Sequence, residues 1–169
     1  MNTRDLQNLH GPDLIAELEG HSDLELLALF GSKSSLVGDC AVQVLSSRGC
    51  RTDLIKEGLR SGQLSRKVAK IRALNHLLRF GLSASDAVEV YVDLLRDKSE
   101  DVAGTALFGI VFFQDEGTIQ NVSEWREMLD RDSELYCEAT RALEALWKKD
   151  PLIFSPYFRD RLGVWNLHP

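Results

Sequence analysis

Glu100-Asp101-Val102-Ala103-Gly104-Thr105-Ala106-Leu107-Phe108-Gly109-Ile110-Val111-Phe112-Phe113 is the stretch whose reading decides the fold. Ser99 before it reads as a helix N-cap, and the two acids that follow suit the positive end of a helix dipole. Val102, Ala106 and Ile110 recur every fourth residue, the spacing of a stripe facing a core. The segment is apolar nearly all round, as expected of a helix buried on several sides. Gly104 and Gly109 each cost about 1 kcal/mol relative to alanine in a helix interior. Either close packing of a neighbouring helix favours them, or Phe108 or Phe112 faces outward and anchors a partner.

The pattern returns in both directions along the chain. Leu36, Val68, Val102 and Leu135 open equivalent stripes at spacings of 32, 34 and 33 residues. Four residues on stand Cys40, Arg72, Ala106 and Ala139, then Ala41, Ala73, Leu107 and Thr140, and a turn later Val44, His76, Ile110 and Leu143. Arg72 and His76 interrupt the apolar ladder. Preceding helices supply matching stripes: Leu24, Leu27 and Phe30; Leu54, Ile55 and Leu59; Val88, Tyr91, Val92 and Leu95; Val122, Trp125 and Leu129. Ser22, Thr52, Ser85 and Ser99 read as N-caps, and Gly31, Gly49, Gly62 and Gly81 lie where a left-handed residue closes a helix. No stretch alternates apolar and polar residues between hairpin turns, so strand signals are weak.

An all-α chain follows, built of four helix pairs of about 33 residues each. The pairs are expected at residues 22–49, 52–81, 83–114 and 118–149, within a single domain over 1–169. Residues 1–20 and 151–169 read as short caps, which a stack needs because its terminal units each have a face without a neighbour. The aromatic phrase from Leu152 to Phe158, with Trp165 beyond it, is expected to fold back over the last pair.

Glu100-Asp101-Val102, then Ala106-Leu107, then Ile110, resembles the second helix of a HEAT or armadillo-type repeat, and the likeness covers roughly residues 22–150. That family usually has an arginine after the first aliphatic, where this chain has Val37, Ala69, Ala103 and Tyr136; the units are divergent and fit no particular subfamily. The resemblance implies a right-handed α-α superhelix, a solenoid whose second helices line a concave face. On that face would stand Asp39, Ile71, Thr105 and Glu138, then Gln43, Asn75, Gly109 and Ala142. A floor polar at its ends and apolar in the middle suits a protein partner.

With 169 residues, of which 44% are hydrophobic and 27% charged, the chain can bury a core without metals or disulfides. The run from Phe108 to Phe113 falls well short of the roughly 20 apolar residues that span a bilayer, and the first residues do not form an apolar signal segment. A cytoplasmic location without membrane contact is therefore expected. Cys40, Cys50 and Cys137 form no C-x-x-C pair or even framework and read as structural thiols.

Chemistry finds little support. His10, His21, His76 and His168 are scattered, with no metal-binding spacing among them, and His76 reads as a hydrogen-bonded interior histidine. No phosphate loop, nucleophile elbow or zinc pattern occurs. The acids Asp97, Glu100 and Asp101, Asp115 and Glu116, and Asp130, Asp132 and Glu134 sit at helix junctions, where capping and solvation account for them. No catalytic residue, metal ligand or cofactor site is assigned, and the chain is read as a non-enzyme.

Charge distribution points to binding. The net charge is −6, yet the segment from Arg48 to Arg79 holds nine basic residues against two acidic ones, a local charge of +7. Arg48, Arg51, Lys56, Arg60, Arg66, Lys67 and Lys70 can form a positive patch for carboxylates or phosphates, or pair internally with acids. Together with Asn75, Thr105, Phe108, Phe112 and Glu138 they form the expected partner surface, fitted to an acidic or partly apolar protein. The leading expectation is a protein-interaction module, in one version a bacterial immunity protein that neutralises a toxin. A nucleic-acid binder or modifier, which would resemble the helical-repeat DNA glycosylases, is disfavoured by a pI near 5.2 and by tryptophans far from the basic segment. A small-molecule lyase like the repeat-type bilin lyases is a third alternative.

Overall fold

The computed structural model describes Leu6 and residues 8–155, apart from the side chains of residues 82 and 84. Among them every regular element is helical: nine α-helices and three short 3-10 segments. The chain divides into two compact units between Phe80 and Gly81.

The first unit holds α1 (Gly11–Glu19), α2 (Asp23–Leu29), α3 (Ser35–Ser47), α4 (Thr52–Arg60) and α5 (Lys67–Leu78). Helix α2 packs on α3 and α4 on α5, making two pairs; α3 also packs on α5 and α2 on α4, while α1 covers α3. Ser22 starts α2 with a reciprocal capping box: its side chain accepts the Glu25 N–H, and the Glu25 carboxylate accepts the Ser22 N–H at 2.8 Å. Helix α1 buries Leu14 and Leu18, one turn apart, and α2 buries Leu26 and Leu27. Each such side chain contributes about 1.5–3 kcal/mol on leaving water.

The second unit holds α6 (Val88–Leu94), α7 (Glu100–Phe113), α8 (Ile119–Glu127) and α9 (Glu134–Lys148), with 3-10 segments at Gly81–Ala87, Glu116–Thr118 and Pro151–Ile153. Helices α6 and α7 form one pair and α8 and α9 the other, with α7 beside α9 and Pro151–Ile153 against α9. Nine of the fourteen residues of α7 are buried, in keeping with its apolar circumference. Close packing explains Gly109, because a Cβ there would overlap the fully buried Tyr91 ring on α6. Gly104 has no such constraint: its nearest neighbours would be Glu138 Oε2 at 3.7 Å and Leu135 Cδ2 at 3.9 Å.

Several local expectations need correction. Leu36 and Val68, placed in the core stripe, are 44% and 38% exposed, and Val37 and Ala69 take the buried positions. Leu24 is 60% exposed, and Thr140 faces solvent. Gly109 and Ala142, expected beside a groove, are buried. Thr52 is the first residue of α4 rather than its cap, Ser85 lies inside a 3-10 segment, and Ser99 caps α7 without a side-chain hydrogen bond. Gly49, Gly62 and Gly81 have positive φ, but Gly31 does not; Gln114 and Lys149, at φ 54° and 52°, are left-handed helix ends that carry side chains. Cys40 is buried, whereas Cys50 is half-buried and Cys137 exposed. Burial, with Asp39 adding, pushes the Cys40 thiol up from its ordinary value. Tyr157, Phe158 and Trp165 of the expected cap, and His168, lie outside the described residues.

Candidate functional site

In the first unit the basic segment resolves mostly into internal fasteners. Arg72, one of the two interruptions of the apolar ladder, is buried. One terminal nitrogen donates to the Phe30 carbonyl at 2.8 Å and the Ser32 carbonyl at 3.2 Å, and the other donates to the Ser35 carbonyl at 3.2 Å. Its Nε donates to Asp39 Oδ1 at 2.9 Å. The guanidinium thereby satisfies the Phe30 and Ser32 carbonyls, at the end of α2 and in the loop that follows, which lack helical partners, and adds a contact to the first carbonyl of α3. Room for it comes from Gly38, where any Cβ would collide with the guanidinium.

The other interruption, His76, is fully buried, with its ring centroid 5.4 Å from that of Phe80 and 6.3 Å from that of Phe30. Nδ1 shares a hydrogen bond of 2.9 Å with Ser46 Oγ, and Nε2 has no partner. Burial, with the charges of Arg79 and Arg51 adding, holds its pKa down to about 4.

Arg48 donates to the carbonyls of His21 and Glu19 and to Asp23, each at 2.8 Å, tying α3 to the turn before α2. Arg51 Nε lies 3.0 Å from the other Asp23 oxygen but is misaligned for a hydrogen bond, so this contact is an ion pair only. Arg60 pairs with Glu57 one turn back, and Arg66 donates to the Gly31 carbonyl at 3.2 Å. Lys56 and Lys70 are half-buried and Lys67 is exposed, at the first position of α5.

Above these fasteners lies the outward face of α3 and α5. It carries exposed Leu36, Asp39 and Gln43 on α3, and Lys67, Val68 and Asn75 with half-buried Ile71 on α5. Leu36 and Val68 occupy the same repeat position on two helices that pack together. Isolated surface aliphatics need no explanation, but here two are exposed at equivalent positions of packed helices, and Arg66 and Lys67 precede one of them in sequence.

In the second unit, α7 and α9 bring together three of the expected residues. Thr105 is half-buried and donates to the Asp101 carbonyl at 2.6 Å. Phe108 is half-buried, its ring centroid 6.5 Å from that of Phe154. Glu138 lies over the bare backbone at Gly104, and burial, with Glu134 adding and Arg141 opposing, raises its carboxyl above the usual range. Phe112 is 6% exposed, with its ring edge-on to Phe113. It belongs to the core rather than the surface, because α7 is covered on more than one side.

The junction acids act as caps: Asp97 accepts the Ser99 N–H, Asp115 the Gly117 N–H and Asp130 the Asp132 N–H. No group of three or more His, Cys, Asp or Glu residues among the described residues is placed to hold a metal ion. No described helix is long and apolar enough to cross a membrane. Comparisons of the chain with protein-family models, curated proteins and solved structures find no match.

Proposed function

We propose that this chain is a non-catalytic, cytoplasmic protein-interaction module whose recognition surface is carried by the second helices α3 and α5 of the first unit. The single observation that carries the reading is the register-matched pair Leu36 and Val68, exposed on packed helices beside Arg66 and Lys67. An apolar contact rimmed by cations fits a protein surface that presents an aliphatic or aromatic side chain among carboxylates. In the second unit, half-buried Phe108 and Glu138 on α7 and α9 offer a margin of their own, and we read the pairs as HEAT-like. Within this class we favour an inhibitor of the kind that bacterial immunity proteins represent, because the chain is small and acidic. Internal use of Arg48, Arg51 and Arg72 favours a protein partner over nucleic acid, which draws its affinity from cations free to meet phosphates.

A native pull-down followed by mass spectrometry tests the reading. The expected result is a stoichiometric acidic protein whose capture is lost with Leu36→Asp plus Val68→Asp and weakened by Lys67→Glu. Capture that survives all three substitutions, or capture of nucleic acid alone, would overturn it.

A further inference from the structure

The second unit contains a cavity unrelated to the second-helix faces. It lies between the first helices α6 and α8, has a volume of about 220 Å³, and is lined by Val92, Asp93, Leu95, Arg96, Asn121 and Trp125. That is room for roughly seven waters at about 30 Å³ each, which matches a small amino acid rather than a nucleotide or a peptide.

The lining is chemically divided. Val92 and Leu95 present aliphatic surface, and Trp125, only 4% exposed, adds an indole. The side chains of Asp93, Asn121 and Trp125 make no hydrogen bond or ion pair with any described residue. Arg96 has only Glu124, at 3.8 Å, which is beyond hydrogen-bond distance. Residues carrying a carboxylate, a guanidinium, a carboxamide and an indole thus line one small volume without pairing with each other. By contrast, Arg72 in the first unit has four acceptors and Arg48 three. A few convergent polar groups over an apolar wall are the ordinary composition of a small-molecule site.

We infer that this cavity binds a free α-amino acid zwitterion with a small aliphatic side chain. Asp93 takes the ammonium and Arg96 the carboxylate. Asn121 supplies a donor or acceptor to either, and the aliphatic group lies against Val92, Leu95 and Trp125. Arg96 is favoured for the carboxylate because its planar fork accommodates both oxygens. Glu124 holds Arg96 loosely enough to be displaced without leaving a buried charge, since both side chains are more than half exposed.

The test is a titration of the 15N-labelled full chain with L-alanine, L-valine and L-leucine, following the indole N–H resonance of Trp125, assigned by its loss in Trp125→Phe. The expected result is a saturable shift with at least one of them. The matching amide, which lacks the carboxylate, and the N-acetyl derivative, which lacks the ammonium, are each expected to bind roughly tenfold more weakly, about the effect of one charge-assisted hydrogen bond. Asp93→Asn and Arg96→Gln, both at exposed positions where the fold is retained, are expected to weaken binding to the same degree. No saturable shift with any of the three, equal binding by the amide and the N-acetyl derivative, or unchanged affinity in both variants would overturn the assignment. Loss of protein capture in Leu36→Asp plus Val68→Asp leaves this titration unaffected, so the two proposals fail separately.

Discussion

The guanidinium of Arg72 fills the space that a side chain at Gly38 would occupy. The arginine on α5 and the glycine on α3 therefore act as one device. Arg72→Ala is expected to destabilise the protein by about 3–5 kcal/mol, because it removes the charged partner of Asp39 and leaves the Phe30 and Ser32 carbonyls without a donor. Gly38→Ala should cost about 1–3 kcal/mol through overpacking. Combining Gly38→Ala with Arg72→Ala should cost less than the sum of the two single changes by about 0.5–3 kcal/mol, as read from urea unfolding of the four proteins in the cycle. Strict additivity would show that the contact has no energetic weight.

His76 predicts an acid-side loss of stability. Its folded value of about 4 lies below the ordinary 6.5 of a solvent-exposed histidine, so the unfolded chain binds more protons between those values. The contribution of the neutral ring is fully present above 6.5 and declines as pH falls toward 4, by about 3 kcal/mol in all. His76→Leu should flatten that part of the stability profile, measured by urea unfolding between pH 7.5 and 4. An unchanged slope would place the acid sensitivity elsewhere.

The two glycines of α7 should respond in opposite directions. Gly109→Ala drives a methyl into the Tyr91 ring and should cost about 1–3 kcal/mol or more. Gly104→Ala meets only ordinary contacts and should stabilise by roughly 0.5–1 kcal/mol. Thermal unfolding of the two variants separates a packing requirement from a helix that simply tolerates glycine.

Asp23 holds two arginines, Arg48 and Arg51. Asp23→Ala should therefore cost more than a typical surface pair, about 1–2 kcal/mol after solvent screening. The loss should shrink as salt is raised, because screening weakens the wild-type contacts. A salt-independent difference would point to the helix start, not the charges.

Much of this architecture was readable because the repeat superposes. Val44, His76, Ile110 and Leu143 are all buried at the expected rung, and Ser22 caps α2 as its acids suggest. The first rung was misread in the first unit for a physical reason: Leu36-Val37 and Val68-Ala69 are adjacent apolar pairs about 100° apart on a helix, and periodicity alone cannot say which faces inward. On the candidate site, Thr105 and Glu138, which the spacing sets beside the core stripe, are half-buried on α7 and α9. The basic segment could not be resolved in that way. Arg48 and Arg72 are taken up by backbone carbonyls 27 to 42 residues away in sequence, and a count of charges does not register a carbonyl. The cavity at Asp93 and Arg96 has no motif at all; it is lined by residues of both α6 and α8 and the turn after α6, which only the fold brings near one another.

The Arg72 contacts also bear on how the first unit comes together. The arginine belongs to the later helix pair, while all its acceptors belong to the earlier pair and its loop. A half-assembled unit, with one pair formed and the other not, would present either a desolvated guanidinium or a set of bare carbonyls. Such an intermediate is disfavoured from both sides, so nearest-neighbour coupling between these pairs is strong, and they should gain and lose their structure as one cooperative step.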